Sequence, residues 1–337
     1  MLSLDEVEKV DRAGLWRAYQ AWPDALARAR SQKLALPEAR SARMVALAGM
    51  GGSGSACDIV ADWVSASSRT PVAVLKDYEL PESVREGTLL LAVSLSGDTK
   101  EVLHLFDEAL ARGCKVVGVS SGGALEDRCR ANAVPYNRVE KLVVPRASLP
   151  GMVVTALRIL GGLGLADVER ELREASEAVA RRTPEVHPAV QGKKNTAKKI
   201  ARLLYRRRGV VYAPARYESV GHHFAASMNE NAKVMADVGL YPEIFHNEVE
   251  TWRKASGRAV VLLRGKDERE EILKRLARAR ALFSKARIPW LELPPSGGML
   301  STMLDWSLVL DMASIYVAVL NRVPPVETPL LDGTRAL

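Results

Sequence analysis

The sequence predicts an α/β protein with two parallel-sheet domains, and three observations carry that expectation. The chain has 337 residues with 47% hydrophobic content, and single cores stop growing at roughly 250–300 residues, so two cores are expected. From Arg43, short apolar runs (MVALAG, PVAVL, TLLLAVSLS, KVVGVSS and KLVVP) alternate with stretches of helical composition, the rhythm of a parallel sheet flanked by helices. After an interruption from Pro145 to Gly151 and a helical connector to about Arg208, strand-like runs resume at GVVYAPA, RAVVLLRG and PWLELPP, and a closing helix runs from about Leu300 to Asn321. The second half thus reads as a rougher copy of the first, without a residue-level repeat.

The first forty residues read as helical, opening on a capping box from Ser3 to Glu6 (SLDE) and breaking at Trp22-Pro23. They predict an N-terminal helical arm over 1–40, ahead of a first domain over 41–165 and a connector with a second domain over 166–337. Part of the net charge of +8 sits from Lys193 to Arg208 (KKNTAKKIARLLYRRR), where Ile200, Leu203 and Leu204 recur at helical spacing. A solvated amphipathic helix accounts for this, and with no aromatic interleaving or helix-turn-helix pattern beside it no nucleic-acid partner is expected. Cys57, Cys114 and Cys129 lie far apart with no C-x-x-C spacing, which argues against a disulfide framework or a thiolate metal site and for a reducing cytoplasm. No apolar run is read as reaching the ~20 residues of a membrane span. The start, MLSLDEVEKV, is charged within a few residues, unlike a signal peptide, so a soluble cytoplasmic protein with no membrane partner is expected.

Two loops are built for anions. Gly49-Met-Gly-Gly-Ser-Gly54 follows the first strand and leads into ACDIVADWV, which can begin a helix; glycines admit a close ligand, and free N–H groups at a helix start favour a phosphate. The spacing also satisfies G-x-G-x-x-G, with Asp77 at about the distance of a ribose-binding carboxylate, so a dinucleotide site is a rival. A P-loop is excluded, since no Gly-Lys-Ser/Thr ending is present. The third strand runs into Ser94-Leu-Ser-Gly-Asp-Thr99 before a helical segment, placing three hydroxyls at a strand's carboxyl end, where open sheets bind ligands. Helix capping alone also explains hydroxyls there. The two loops together favour a phosphate monoester, and a dinucleotide fold has no need of the second.

Further along, SMNENAKVMA reads as helix: Val220, Phe224, Met228, Ala232 and Met235 form one stripe, Asn231 falls on it, and Glu230 points away. On residues alone Glu230 is either an exposed partner of Lys233 at i, i+3 or a general base between two amides, while a buried Asn231 would need partners. His246 alone is an ordinary loop histidine of a type suited to proton handling. Arg146, at a strand end in VVPRASLPG, is either a salt-bridge partner or a permanent cation for an oxyanion. His222-His223 has no third ligand at suitable spacing nearby, so no metal is expected.

In order along the chain, GMGGSG, KDYELP (Lys76 to Pro81), SLSGDT, PRASLP (Pro145 to Pro150), NENAKVMA and HNEVETW (His246 to Trp252) resemble the motifs of the archaeal-type bifunctional phosphoglucose/phosphomannose isomerases of the sugar isomerase (SIS) superfamily. The N-terminal arm and the basic connector lie outside the resemblance. It implies two αβα sandwich (SIS, flavodoxin-like) domains, a homodimer with active sites at the subunit interface, and no metal or cofactor. The implied activity is metal-independent interconversion of glucose 6-phosphate and mannose 6-phosphate with fructose 6-phosphate through a cis-enediolate. The resemblance assigns Gly51, Gly52, Ser53, Ser94, Ser96 and Thr99 to the phosphate and Arg146 to the enediolate. It makes Glu230 the proton-transferring base, and His246 helps open the sugar ring.

ETPLLDGTRAL resembles the family's closing segment, in which a threonine precedes a lysine by seven residues; here the pair is Thr328 and Arg335. By resemblance Thr328 makes room for both C2 epimers. The family's lysine assists ring opening as a proton-handling group, and arginine does not readily release a proton. Either Arg335 acts only electrostatically, with His246 carrying the transfer, or the substitution weakens ring opening. The alternative to an isomerase is a non-catalytic sugar-phosphate-binding regulatory protein, and a nicotinamide-dependent oxidoreductase is a third reading.

Overall fold

The computed structural model describes residues 2–38, 42–254 and 257–335. The chain divides into two compact units, one of Ala21–Ser176 and one of Met1–Gln20 with Glu177–Leu337. The N-terminal forty residues are therefore shared. Helices α1 (Leu4–Val10) and α2 (Leu15–Gln20) belong with the C-terminal half, whereas α3 (Trp22–Ser31) opens the other unit. The capping box forms, with Ser3 N–H donating to Glu6 Oε2 at 2.9 Å. Buried Asp11 accepts from Leu15 N (3.0 Å) and Trp16 N (2.8 Å) and so starts α2. Pro23 lies in the first turn of α3, where the missing N–H has no helical partner to lose, so Trp22-Pro23 is a helix start as well as a break.

The Ala21–Ser176 unit holds β1 (Met44–Ala48), α4 (Gly51–Ser67), β2 (Val72–Leu75), β3 (Thr88–Val93), α5 (Lys100–Ala111), β4 (Lys115–Ser120), α6 (Ala124–Ala131), β5 (Tyr136–Arg138) and α7 (Leu149–Gly162). Its sheet is parallel throughout, in the order β2-β1-β3-β4-β5. Every residue of β3 is buried, as an unbroken apolar run must be when helices cover both faces. The run KLVVP forms no strand. Leu142 N–H donates instead to Ser148 Oγ (2.9 Å) and the chain enters a 3₁₀ turn at Pro145–Ser148, so the sheet ends on β5.

Helix α8 (Glu169–Glu185) begins in one unit and ends in the other. The second unit continues with α9 (Thr196–Leu204), β6 (Arg208–Pro214), α10 (Glu218–Ser227), β7 (Ala236–Tyr241), β8 (Arg258–Leu263), α11 (Glu270–Lys285), β9 (Trp290–Leu293), α12 (Met299–Asn321) and α13 (Pro329–Arg335). Its parallel sheet has the order β7-β6-β8-β9. Helix α9 is amphipathic, with Asn195 as its cap and Ile200 and Leu204 buried. Lys198 is the exception on its polar side: it is buried, and its ammonium donates to the carbonyls of Pro188 (2.5 Å) and Val190 (2.8 Å). Helix α12 corrects the hydropathy reading, since its 23 residues are long and apolar enough to cross a membrane, but 94% of its most apolar window is buried as the core of this unit.

Candidate active site

In the order β2-β1-β3-β4-β5 the chain reverses direction across the sheet between β1 and β3, and ligands of open α/β sheets bind outside the carboxyl ends of the strands at such a point. Both anion loops lie there. The order is also the flavodoxin-like one and not the dinucleotide-binding 3-2-1-4-5-6, which weighs against the G-x-G-x-x-G rival. Residues 51–53 form the first turn of α4, with no side chain capping it, so its leading N–H groups are available to an anion. Gly51 has φ +53°, a left-handed conformation that favours glycine. Thr99 occupies the cap position of α5 without capping it, because its hydroxyl lies 2.8 Å from Ser94 Oγ.

The hydroxyls divide into two groups. Ser53 and Ser94 are buried inside the loops. Ser53 Oγ accepts from Leu95 N (3.0 Å), which ties the glycine loop to the hydroxyl loop, and Ser94 Oγ accepts from Gly97 N (3.2 Å). Ser96 is exposed and Thr99 partly so, as a ligand contact requires. Arg146 sits on the Pro145–Ser148 turn, only 5% exposed. A Cβ on Gly52 would lie 2.8 Å from Arg146 N, so the glycine loop packs directly against the arginine turn. Trp22 Nε1 donates to Ala147 O at 2.8 Å and props that turn from behind. No local pattern around Trp22 announces this support.

In the other unit, the helix carrying SMNENAKVMA does not continue to Met235. Helix α10 widens into a π-turn at Met228–Ala232 and stops at Lys233, whose φ of +57° is left-handed. Met235 is 81% exposed, so the expected stripe ends at Ala232. Glu230 is half-buried, and Asn231 beside it is fully buried with Nδ2 donating to Ser314 Oγ at 2.7 Å. π-turns inside helices occur frequently at functional sites. Lys233 Nζ donates to the backbone carbonyl of Glu230 (2.6 Å) and to Pro324 O (2.9 Å), joining this turn to the segment that leads into Thr328.

Thr328 is partly buried and precedes α13, with its carbonyl accepting from Asp332 N (2.9 Å). Arg335 closes that helix, and its side chain lies outside the described residues. His246 is exposed on a separate loop after the Glu243–Phe245 turn, with Nε2 3.3 Å from Arg275 Nη1. A guanidinium has only donors, so this nitrogen accepts. His223 is buried against Asp311 while His222 is exposed, and among the described residues no three His, Cys, Asp or Glu side chains gather as a metal site would need. Asp311 and Ser314, which serve this turn from α12, escaped the reading of the sequence; they are two of several polar residues, with Ser301, Thr302, Asp305 and Ser307, in a helix of mainly apolar composition, and buried polar groups of that kind need partners.

The model of the bacterial phospho-glucose isomerase C-terminal SIS domain matches residues 193–337, and the SIS domain model matches residues 39–132. A bifunctional phosphoglucose/phosphomannose isomerase of Pyrobaculum aerophilum is 30% identical over 292 residues, covering 86% of this chain and 85% of that one. That of Aquifex aeolicus is 28% identical over 295 residues, covering 86% and 88%. The fold resembles the crystal structure of a glucose-6-phosphate isomerase like protein from Thermus thermophilus, with a TM-score of 0.64 and 20% identity over 99% of this chain and 98% of that one. The chain belongs to the family of bifunctional phosphoglucose/phosphomannose isomerases.

Proposed function

We propose that this protein interconverts glucose 6-phosphate and mannose 6-phosphate with fructose 6-phosphate through one cis-enediolate, using no metal or cofactor. The observation that carries this reading is the anion cradle at the β1/β3 reversal, where two uncapped helix starts are tied together by Ser53 and closed by the Arg146 turn. Family membership supplies the chemistry. In this reading the backbone of Gly51 and Gly52 with Ser96 and Thr99 holds the phosphate, while Ser53 and Ser94 shape the loops. His246 assists ring opening, and Glu230 takes the proton from C2 of the open aldose. The C2–H electron pair becomes the C1–C2 double bond and the charge moves to O1, where Arg146 stabilises it. Delivering a proton from Glu230 to C1 and passing that of the C2 hydroxyl to O1 yields the ketose, so atoms and electrons balance without an external oxidant.

Both aldoses serve because they differ only at C2 and loss of that proton gives the same intermediate. Thr328 leaves room for either epimer. The reading includes a homodimer, which a solution mass of twice 36.8 kDa would support, and a cytoplasmic location, consistent with three buried free thiols. The test is coupled conversion of both aldoses by wild type and Glu230→Gln with a chelator present. Wild type is expected to turn over both, with a loss of roughly a hundredfold or more in the variant, as for removal of a general base. A wild type that is inactive yet thermally stabilised by sugar phosphates would replace the enzyme with a binding protein.

A further inference from the structure

Helices α10 and α12 meet along a seam that is polar although it is fully buried. Asp311 is 0% exposed, and its two carboxylate oxygens are both engaged: Ser227 Oγ donates to Oδ1 at 2.6 Å, and His223 Nε2 lies 3.0 Å from Oδ2. One turn further along α12, Ser314 Oγ donates to Asp311 O (2.7 Å) and accepts from Asn231 Nδ2 (2.7 Å). His223, Ser227 and Asn231 stand at i, i+4 and i+8, so a single stripe of the α10 segment is gripped from its last α-helical turn into the π-turn. All five side chains are at most 2% exposed. Ser, His and Asp together suggest a nucleophile, but the hydroxyl faces the carboxylate and not the imidazole, and none of the three reaches solvent.

Burying a carboxylate, an imidazole, an amide and two hydroxyls costs more than packing apolar groups of the same volume, so stability alone does not account for the seam. What it does fix is geometry. A π-turn is a rare, single-turn conformation, and here its inward residue, Asn231, is anchored while its neighbour Glu230 is directed partly outward. We propose that the Asp311–His223–Ser227 and Asn231–Ser314 contacts form a positioning device that sets the Glu230 carboxylate for proton transfer. This rests on Glu230 as the base. Asp311 and Ser314 are positioning residues: they touch no substrate and act only through the turn.

Ser314→Ala removes one hydroxyl and keeps the helix; Asp311→Asn is the stronger perturbation. Each is measured for kcat and KM on both aldoses, for melting temperature, and again on the Glu230→Gln background. The expected result is a fall in kcat of roughly tenfold for Ser314→Ala and up to roughly a hundredfold for Asp311→Asn, the scale of ångström-sized misplacements, with KM within about twofold. On the Glu230→Gln background Ser314→Ala should remove nothing further, since both changes act on one group. The proposal is overturned if Ser314→Ala melts earlier while kcat of the folded enzyme is unchanged, or if its loss multiplies undiminished with Glu230→Gln. If Glu230→Gln is itself fully active, the base assignment falls and this inference with it; if only Ser314→Ala is silent, the base assignment stands alone. Should Asp311→Asn fail to fold, Ser314→Ala decides.

Discussion

Replacing Gly52 by alanine sets two effects against each other. Gly52 is the second residue of α4, and alanine in a helix is favoured over glycine by about 1 kcal/mol. The new Cβ would however lie 2.8 Å from Arg146 N and 3.0 Å from both Arg146 Cα and Pro145 C. All three are backbone atoms, and ordinary contact begins near 3.4 Å, so the arginine turn must retreat by about half an ångström. It has little freedom to do so, being held by Trp22 Nε1 on Ala147 O (2.8 Å) and by Ser148 Oγ on Leu142 N (2.9 Å). Overpacking of this kind costs about 1–3 kcal/mol, which cancels or exceeds the gain in propensity. The displaced group is the cation of the proposed mechanism, and a 1 Å error can cost about a hundredfold, so a loss of roughly tenfold is expected in kcat/KM for fructose 6-phosphate. Gly164→Ala is the control. Its φ is +73° with open space around the new Cβ, so it should lose about 1 kcal/mol to backbone strain and keep full activity. Wild-type activity in Gly52→Ala, alongside an unchanged melting temperature, would refute the contact between the loops as the determinant.

The same structure sets three further expectations. Trp22→Phe keeps the buried ring but removes its hydrogen bond to Ala147 O; a loss of about 1–3 kcal/mol in denaturant unfolding is expected, with reduced kcat/KM, and an unaffected kcat/KM would show that the Arg146 turn needs no such prop. Burial raises the thiol pKa of Cys57 and Cys114 and pushes that of Cys129 up to about 11, so no thiol should react with an aromatic disulfide reagent at pH 8 until denaturant is added; one fast native thiol would contradict this. Burial lowers the His187 pKa from 6.5, and its Nδ1 accepts from Ala189 N at 3.1 Å. The unfolded chain therefore binds the proton first, and stability present above pH 6.5 is lost as pH falls through the folded value. The melting temperature should decline on that limb and flatten in His187→Gln, and an equally steep limb in the variant would assign it to another group.

The parts legible in the sequence were those governed by local pattern. Unbroken apolar runs marked β1, β3, β6 and β8 because strands covered on both faces need no alternation, and the two candidate anion loops stood out because a glycine cluster and a hydroxyl cluster fall together at strand ends, where capping alone accounts for only the second. The failures are non-local. ADVGLY has few β-branched residues, yet it forms β7 by pairing over its whole length with β6 from Gly209 to Pro214, and KLVVP has the composition of a strand but is drawn into a turn by Ser148. The end of the Glu230 helix depends on Lys233 adopting a left-handed conformation stabilised by carbonyls at 230 and 324, which no helical wheel contains. Likewise Ser94 reads as a ligand donor from its place at a strand end, and Ser53 by resemblance, and only the folded loops show their hydroxyls already engaged with backbone N–H groups.

Proton transfer through one enediolate is tested most directly in ²H₂O, by following glucose 6-phosphate and mannose 6-phosphate separately by NMR with wild type and Glu230→Gln. Wild type should deliver fructose 6-phosphate carrying solvent deuterium at C1 from either aldose, and should slowly interconvert the two aldoses with deuterium at C2, while Glu230→Gln loses conversion and exchange together. Turnover of only one epimer, or conversion or exchange that survives in Glu230→Gln, would contradict a shared enediolate formed by this carboxylate.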